Sequence, residues 1–161
     1  MRTLVIYDTK FGNTERIAEA IARGAGTHGA VQVTDIAGAA GSLPERPDLL
    51  LVGGPTQRRG PSPTLRDFLD SMPPNLQGVP AASFDTRFRG STLLMGSAAR
   101  EAGKRIQKGG ARMVVPPESF FISRGGPLER QGLEAGELAR AEQWGSLVGA
   151  AALEVGRATR A

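Results

Sequence analysis

The stretch Thr9-Lys10-Phe11-Gly12-Asn13-Thr14 decides how the rest of the chain is arranged. It follows an apolar run at residues 3–7 and precedes a helical pattern at residues 14–26, so it predicts a loop from a strand into a helix. The first N–H groups of a helix have no partner inside it and lie at its positive end, which makes such a loop a ready site for an anion, usually phosphate. Thr9, Asn13 and Thr14 add side-chain donors, and Gly12 lets the backbone come close.

A helix cap is a simpler explanation of the same residues. Asn13 or Thr14 could satisfy the first turn of the helix without any ligand. The stretch also lacks the Walker pattern that identifies a nucleotide-binding P-loop. The rest of the chain has to decide between the two interpretations.

Length and composition place the chain in a broad class. Its 161 residues, 40% hydrophobic and 22% charged, fit one globular domain spanning residues 1–161. The absence of cysteine excludes disulfides, thiol catalysis and thiolate metal sites. No apolar run approaches the ~18 residues of a membrane span, and the start has no signal-peptide anatomy. We therefore expect a cytoplasmic protein with no membrane association.

The formal net charge of +4 raises the question of an anionic partner. The cations are spread along the chain from Arg2 to Arg160, and only Arg58-Arg59 and Lys104-Arg105 stand side by side. Aromatic residues are only 5%, too few for a platform on which bases stack. This diffuse pattern predicts an arginine-rich solvated surface and no nucleic-acid partner.

Short apolar runs alternate with helical stretches, which indicates a parallel sheet covered by helices. The predicted strands are residues 3–7, 31–35, 49–53, 81–84 and 112–115, the last interrupted at Pro116-Pro117 and resumed at 119–122. The predicted helices are residues 14–26, 63–72, 97–108 and 136–157, with loops at 38–47 and 123–132. Residues 92–95 could extend the sheet or pack under a loop. The expected fold is α/β: a doubly wound five-stranded parallel sheet in the order 2-1-3-4-5, with helices on both faces.

Three irregular loops, at residues 9–14, 54–61 and 85–91, follow the first, third and fourth predicted strands. The carboxyl ends of these strands are neighbours in the order 2-1-3-4-5. Ligands of such sheets bind at this edge, where the order of the strands reverses. The three loops therefore predict one shared site.

The motifs in these loops resemble those of the flavodoxin-like family. Gly12-Asn13-Thr14 resembles the end of the family's flavin phosphate loop, and Gly53-Gly54-Pro55-Thr56 matches its Gly-x-Pro-Thr after the third strand. Phe84-Asp85-Thr86-Arg87 is similar to a less studied subset of the family. The resemblance covers essentially the whole chain and implies FMN as the cofactor.

The resemblance also implies which residues would hold FMN. The flavin phosphate would lie on Thr9, Lys10, Phe11, Gly12, Asn13 and Thr14. The edge of the isoalloxazine ring would lie along Pro55, Thr56, Gln57, Arg58, Arg59 and Gly60. The pyrimidine end and the other ring face would meet Asp85, Thr86, Arg87, Phe88 and Gly90. Electron-carrying flavodoxins usually sandwich the flavin between aromatic residues, whereas here Phe88 and Phe11 are the only candidates for a ring wall.

These implications favour an FMN-binding redox protein that passes electrons between protein partners, for which the basic charge would suit an acidic partner. One alternative is an FMN-dependent reductase of quinone-like acceptors, and another is a flavodoxin-like scaffold that has lost FMN. Reductases of this fold usually carry insertions that build a substrate pocket and a dimer interface, for which 161 residues leave little room. We therefore expect a monomer or weak dimer.

Two other folds with a similar rhythm are excluded by their missing motifs. A response-regulator receiver needs clustered carboxylates after the first strand and an aspartate at the end of the third, and only Asp8 is present. A dinucleotide-binding domain needs Gly-x-Gly-x-x-Gly after the first strand, which is absent.

Overall fold

A computed structural model describes residues 1–41, 46–72, 76–125 and 132–158 of the protein. Its strands form one sheet. The strands are β1 (Arg2–Tyr7), β2 (Ala30–Asp35), β3 (Leu49–Pro55), β4 (Pro80–Phe88), β5 (Arg112–Met113), β6 (Glu118–Ser123) and β7 (Gly132–Leu133). The helices are α1 (Asn13–Ala25), α2 (Ile36–Gly41), α3 (Pro63–Asp70), α4 (Thr92–Met95), α5 (Ala98–Lys108) and α6 (Glu137–Ala158), with a short 3-10 helix at Gly26–His28.

The strand order is β2-β1-β3-β4-β6-β7, and β5 pairs with β4 beside β6. Every pairing is parallel except the one between β6 and β7. The predicted doubly wound order is confirmed, with β6 in the place of the fifth strand.

The number of strands differs from the prediction of five. The predicted fifth strand is two separate strands, β5 and β6, because Pro116 and Pro117 have no N–H to donate to the neighbouring strand. The antiparallel edge strand β7 was not predicted, since its two residues are too short to show a pattern. It pairs with Ile122 and Ser123 at the end of β6. The predicted loops at 38–47 and 123–132 fall partly on residues outside the described ranges, and within the first of them residues 38–41 are not a loop but the end of helix α2.

β4 is longer than predicted, so Asp85, Thr86, Arg87 and Phe88 belong to a strand and not to a loop. The strand continues because both of its neighbours do. Asp85 pairs with Gly54 of β3 on one side and with Ser119 of β6 on the other. Polar residues are tolerated in this strand because hydrogen bonds to the neighbouring strands satisfy its backbone N–H and carbonyl groups. Only residues 89–91 then remain irregular before the short helix α4, which settles the open assignment of residues 92–95.

The core lies on both faces of the sheet. β3 is buried along nearly its whole length, and its side chains alternate between the two layers. Leu49 and Leu51 pack under α1 and α6, whereas Leu50 and Val52 pack under α2, α3 and α5. A continuous apolar run of this kind is expected of a strand covered on both sides.

Helices α1 and α6 pack backbone against backbone. A Cβ added at Gly24 would lie 1.9 Å from the carbonyl oxygen of Glu142, and one at Gly145 would lie 2.1 Å from that of Ile21. The two helices therefore approach as closely as they do only because these two positions are glycine. This contact fixes the position of α1, whose first turn lies at the predicted site.

No helix in the described ranges is both long enough and apolar enough to cross a bilayer.

Candidate flavin site

The first loop leaves the amino end of α1 open. Gly12 is the N-cap residue, with φ 84° and ψ −6°, and no side chain caps the helix. This left-handed conformation suits glycine. Asn13 and Thr14 are the first two residues inside the helix, so the cap explanation is wrong. The backbone N–H groups of residues 13–15 precede the first intrahelical bond, which the N–H of Arg16 makes to Gly12.

The side chains of this loop fit an anion. The hydroxyl oxygen of Thr9 accepts the N–H of Gly12 at 3.0 Å, which holds the loop closed and leaves the hydroxyl proton free to donate. Lys10 is exposed, with its ammonium 5.2 Å from the ring centroid of Phe11. Three backbone donors, a hydroxyl and a nearby ammonium match the oxygens of a phosphate. The donors of this loop therefore fit a flavin phosphate.

Thr14 does not face the loop opening. Its side chain is buried, and its hydroxyl oxygen lies 2.8 Å from that of Thr86 on β4. Thr86 also accepts the N–H of Thr56 on its carbonyl oxygen at 3.0 Å. Thr86 therefore joins the loop after β1 to the loop after β3.

Asp85 is the centre of a second set of bonds. Its carboxylate is fully buried, and one oxygen accepts the hydroxyls of Thr56 at 3.0 Å and Ser97 at 2.6 Å, and the N–H of Ala99 at 3.0 Å. The other oxygen has no hydrogen-bond partner and lies 3.9 Å from Nε of Arg87. Asp85 thus ties the loop after β3 to the amino end of α5. Ser97 was not predicted as a site residue, because its only signal in the sequence is its place before a helical pattern.

The second loop is a tight turn. Gln57 and Gly60 exchange backbone hydrogen bonds at 2.8 and 3.0 Å, and the two residues between them, Arg58 and Arg59, both have positive φ, 44° and 78°. Asparagine and glycine are the usual residues for such a turn. The conformation points both exposed arginines away from the core. Gly60 itself is buried, close to Glu101 of α5.

The third loop is held by Arg87. Its guanidinium donates to the carbonyl oxygen of Gly90 and to the hydroxyl of Ser119, both at 3.0 Å. With its side chain only 9% exposed, Arg87 supports the loop from inside. Phe88 is half-buried, and the guanidinium of Arg124 lies 5.0 Å from its ring centroid.

Phe11 is 73% exposed, so its side chain does not pack beneath the first loop. Its position leaves it available to a ligand or a partner. The half-buried side chain of Phe88, at the end of β4, is partly accessible at the same edge of the sheet. These are the two aromatic side chains among the predicted site residues.

Two residues at the end of β1 support the site from outside. The hydroxyl of Ser62 donates to the carboxylate of Asp8 and accepts the N–H of Leu65, which caps α3. The hydroxyl of Tyr7 donates to Glu15 at 2.9 Å. Burial and this bond to Glu15, together with the nearby charges of Asp35 and Glu19, raise the pKa of Tyr7 to about 12.

The predicted site residues divide into two groups. Five members are buried: Asn13, Thr14, Gly60, Asp85 and Thr86. The other members are exposed or half-buried: Thr9, Lys10, Phe11, Gly12, Pro55, Thr56, Gln57, Arg58, Arg59, Arg87, Phe88 and Gly90. The described residues contain no cluster of three histidine, cysteine or carboxylate side chains that could hold a metal.

A family model described as flavodoxin matches residues 5–144. The chain belongs to the flavodoxin family. Flavodoxins are FMN-binding proteins, which agrees with the phosphate-fitting loop at the start of α1. A comparison with curated protein sequences finds no match.

Solved structures show the same fold. A flavodoxin from the domain Archaea superimposes with a TM-score of 0.75 at 21% identity, over 96% of this chain and 99% of the other. Flavodoxin 1 from Bacillus cereus gives 0.70 at 22% identity, over 96% and 98%. The flavodiiron protein from Giardia intestinalis gives 0.67 at 16% identity, over 96% of this chain but 36% of its own length.

Proposed function

We propose that this flavodoxin is an FMN-binding electron carrier that passes electrons between protein partners. The observation that supports it best is the uncapped amino end of α1, where backbone donors, the Thr9 hydroxyl and Lys10 meet in one loop. When bound, FMN supplies the redox chemistry. The chain supplies a phosphate grip, a rigid frame and charges near the ring that tune the potential. A cytoplasmic location and a monomeric or weakly dimeric state remain predictions.

The proposed roles follow the exposure of each residue. Residues 9–13 grip the phosphate through backbone and side-chain donors. The turn at residues 56–60 lies along one edge of the ring, and Phe88 and Gly90 lie toward the other. Asp85 and Thr86 are positioning residues, because they are buried and act through Thr14, Thr56 and Ser97.

Titration of the flavin-free protein with FMN and with riboflavin tests the phosphate grip. Riboflavin has the same ring but no phosphate, so the difference in affinity isolates the loop. Two charge-assisted hydrogen bonds would contribute about 3 kcal/mol, which is roughly a hundredfold tighter binding of FMN. Equal affinities for FMN and riboflavin would contradict the assignment of the loop as the phosphate site. If neither compound bound, the remaining alternative would be a flavodoxin-like scaffold that has lost FMN.

Addition of a nicotinamide donor to the FMN-loaded protein separates the carrier from the reductase. A carrier requires another protein to reduce it, so its yellow colour should persist when NADH or NADPH is added alone. Rapid bleaching by either compound, followed by reoxidation with a quinone, would support the reductase and contradict the carrier.

A further inference from the structure

Three loops at the carboxyl ends of the strands carry more cationic than acidic residues. The loops at the carboxyl ends of the strands, residues 9–14, 56–62 and 85–97, hold five of the chain's 20 cationic residues: Lys10, Arg58, Arg59, Arg87 and Arg89. They hold one of its 16 carboxylates, the fully buried Asp85. These residues have a formal charge of +4, whereas Asp8, directly after β1, and Glu134, which pairs with Arg89, add negative charge at the same edge. Along the sequence these cations are far apart, and only the parallel topology brings their loops to one edge.

Two of these cations are paired, and three are not. Arg87 lies 3.9 Å from Asp85, and Arg89 lies 2.8 Å from Glu134. Lys10, Arg58 and Arg59 are exposed, and no carboxylate in the described ranges lies within 4.0 Å of their charged groups. Lys10 belongs to the proposed phosphate grip, so Arg58 and Arg59 are the cations available to an outside partner.

Exposed apolar side chains lie beside them. In α4, Leu93 is 89% exposed and Leu94 is 67% exposed. The carboxyl end of α4 is fixed to the arginine turn, because Gly96 pairs with Arg59 and a Cβ at Gly96 would lie 1.8 Å from the Arg59 carbonyl oxygen. Single exposed leucines need no explanation, but adjacent ones beside unpaired cations at a ligand edge indicate an interaction site.

We infer that these side chains form a docking surface for an acidic protein, an inference that rests on the proposed role as an electron carrier. The edge patch consists of Phe11, Arg58, Arg59, Leu93 and Leu94. An apolar centre with charged residues at its rim is the usual anatomy of a protein interface, and unpaired cations select a partner with the opposite charge. A carrier has to present its flavin edge to its partner, and the patch lies at that edge.

Other anionic partners fit the patch less well. Helices that anchor proteins on membrane surfaces need a large apolar face, whereas the four residues of α4 offer two leucines. Single-stranded nucleic acid is bound by stacking on several aromatic residues, and Phe11 is the only exposed aromatic in the patch.

Isothermal titration with two small haem proteins of opposite charge tests the inference. An acidic b-type cytochrome and a basic c-type cytochrome serve as probes, and the protein is used both with and without added FMN. The acidic probe should bind at about 0.01 M salt, where the screening length is about 30 Å, and should be released toward 1 M, where it is about 3 Å. The basic probe should not bind at either concentration. Binding of the basic probe alone would overturn the inference.

Charge reversal locates the interface. The Arg58→Glu, Arg59→Glu double variant should bind the acidic probe at least about tenfold more weakly at low salt. The Lys108→Glu, Arg112→Glu double variant makes the same change of charge at the opposite edge of the sheet and should bind as the wild type does. Equal losses in both would mean that only net charge matters and would overturn the inference. The Leu93→Gln, Leu94→Gln variant should also bind more weakly, without any change of charge, and unchanged binding would remove the leucines from the surface.

The two proposals fail separately. Docking of the acidic probe to protein that binds no FMN would leave the edge patch in place and contradict the carrier. Tight FMN binding without docking of the acidic probe would leave the carrier in place and contradict the edge patch. Tighter binding to anionic lipid vesicles or to DNA than to the acidic probe would contradict a protein partner.

Discussion

The hydroxyl oxygens of Thr14 and Thr86 lie 2.8 Å apart in the interior of the protein, one on the first turn of α1 and the other on β4. Both side chains are buried, with 1% of each exposed. This bond connects the helix whose amino end fits a phosphate to the strand that supports the other two loops. The geometry of the site therefore depends on a contact that is buried behind it.

Removal of either hydroxyl should destabilise the protein. Thr14→Val and Thr86→Val keep the shape but leave the other buried hydroxyl unpaired, which costs about 1–2 kcal/mol in unfolding free energy. The double variant should cost less than the sum of the single ones, because it leaves no unpaired partner. Urea unfolding followed by circular dichroism measures all four proteins. Additive losses would show that the two hydroxyls do not interact.

The close packing of α1 and α6 predicts opposite effects for two glycines of the same helix. Gly145→Ala places a methyl group 2.1 Å from the Ile21 carbonyl oxygen, so the helices must separate at a cost of roughly 1–3 kcal/mol or more. Gly156→Ala meets nothing within 4 Å and should stabilise the helix by up to about 1 kcal/mol. Thermal unfolding compares them. A Gly145→Ala variant as stable as Gly156→Ala would contradict the backbone contact.

Glu137 should make stability depend on acid pH. The carboxylate is buried, which alone would raise its pKa, but hydrogen bonds from Arg140 and from the N–H of Phe121, at 2.7 Å each, outweigh burial and lower the pKa. A lowered pKa gives stability that is fully present above the unfolded value of about 4.3 and is lost as the pH falls toward the folded value.

The Glu137→Gln variant tests this pH dependence. Glutamine cannot ionise, so the variant should be less stable than the wild type at neutral pH, and the gap should narrow below about pH 4. Denaturant unfolding at a series of pH values measures the gap. A gap that is constant with pH would mean that the charge of Glu137 does not contribute.

Tyr7 should remain protonated well into the alkaline range. It is the only tyrosine of the chain, so the ultraviolet absorbance of the phenolate reports it alone. The midpoint should lie near 12 in the folded protein, against about 10 for a free tyrosine. A raised pKa means that the stabilising effect is present below about pH 10 and is lost as the pH rises through about 12.

The Glu15→Gln variant checks the cause. Without the carboxylate that accepts the Tyr7 hydroxyl, the midpoint should fall toward the ordinary value, although burial keeps it raised. Glu154→Gln removes an exposed carboxylate from α6 and serves as the control. The same midpoint in Glu15→Gln and the wild type would show that the hydrogen bond does not act on the phenol.

The sequence predicted those parts of the fold that local patterns determine. The continuous apolar run of β3 predicted the central strand, because burial on both faces requires apolar residues along the whole strand. The Gly12-Asn13-Thr14 turn predicted the open helix end, because a positive φ favours glycine. The strand order followed from the handedness of parallel connections, which the chain obeys.

Other parts depended on contacts between distant residues and could not be predicted. The polar residues Asp85 and Thr86 were predicted to lie in a loop. They lie in a strand, because Gly54 and Ser119 in the two neighbouring strands pair with Asp85 and satisfy its backbone. The role of Ser97 depends on the carboxylate of Asp85, which is twelve residues away in sequence. The clustering of Lys10 with Arg58 and Arg59 appears only when the strand ends are brought together.

The uneven distribution of charge has a kinetic consequence. A molecule with unpaired cations at one end turns that end toward an opposite charge while the two proteins are still apart, so fewer collisions are lost to wrong orientations. One extra carboxylate in the loops beside Arg58 would therefore slow the encounter with an acidic partner, even if it touched nothing in the bound complex.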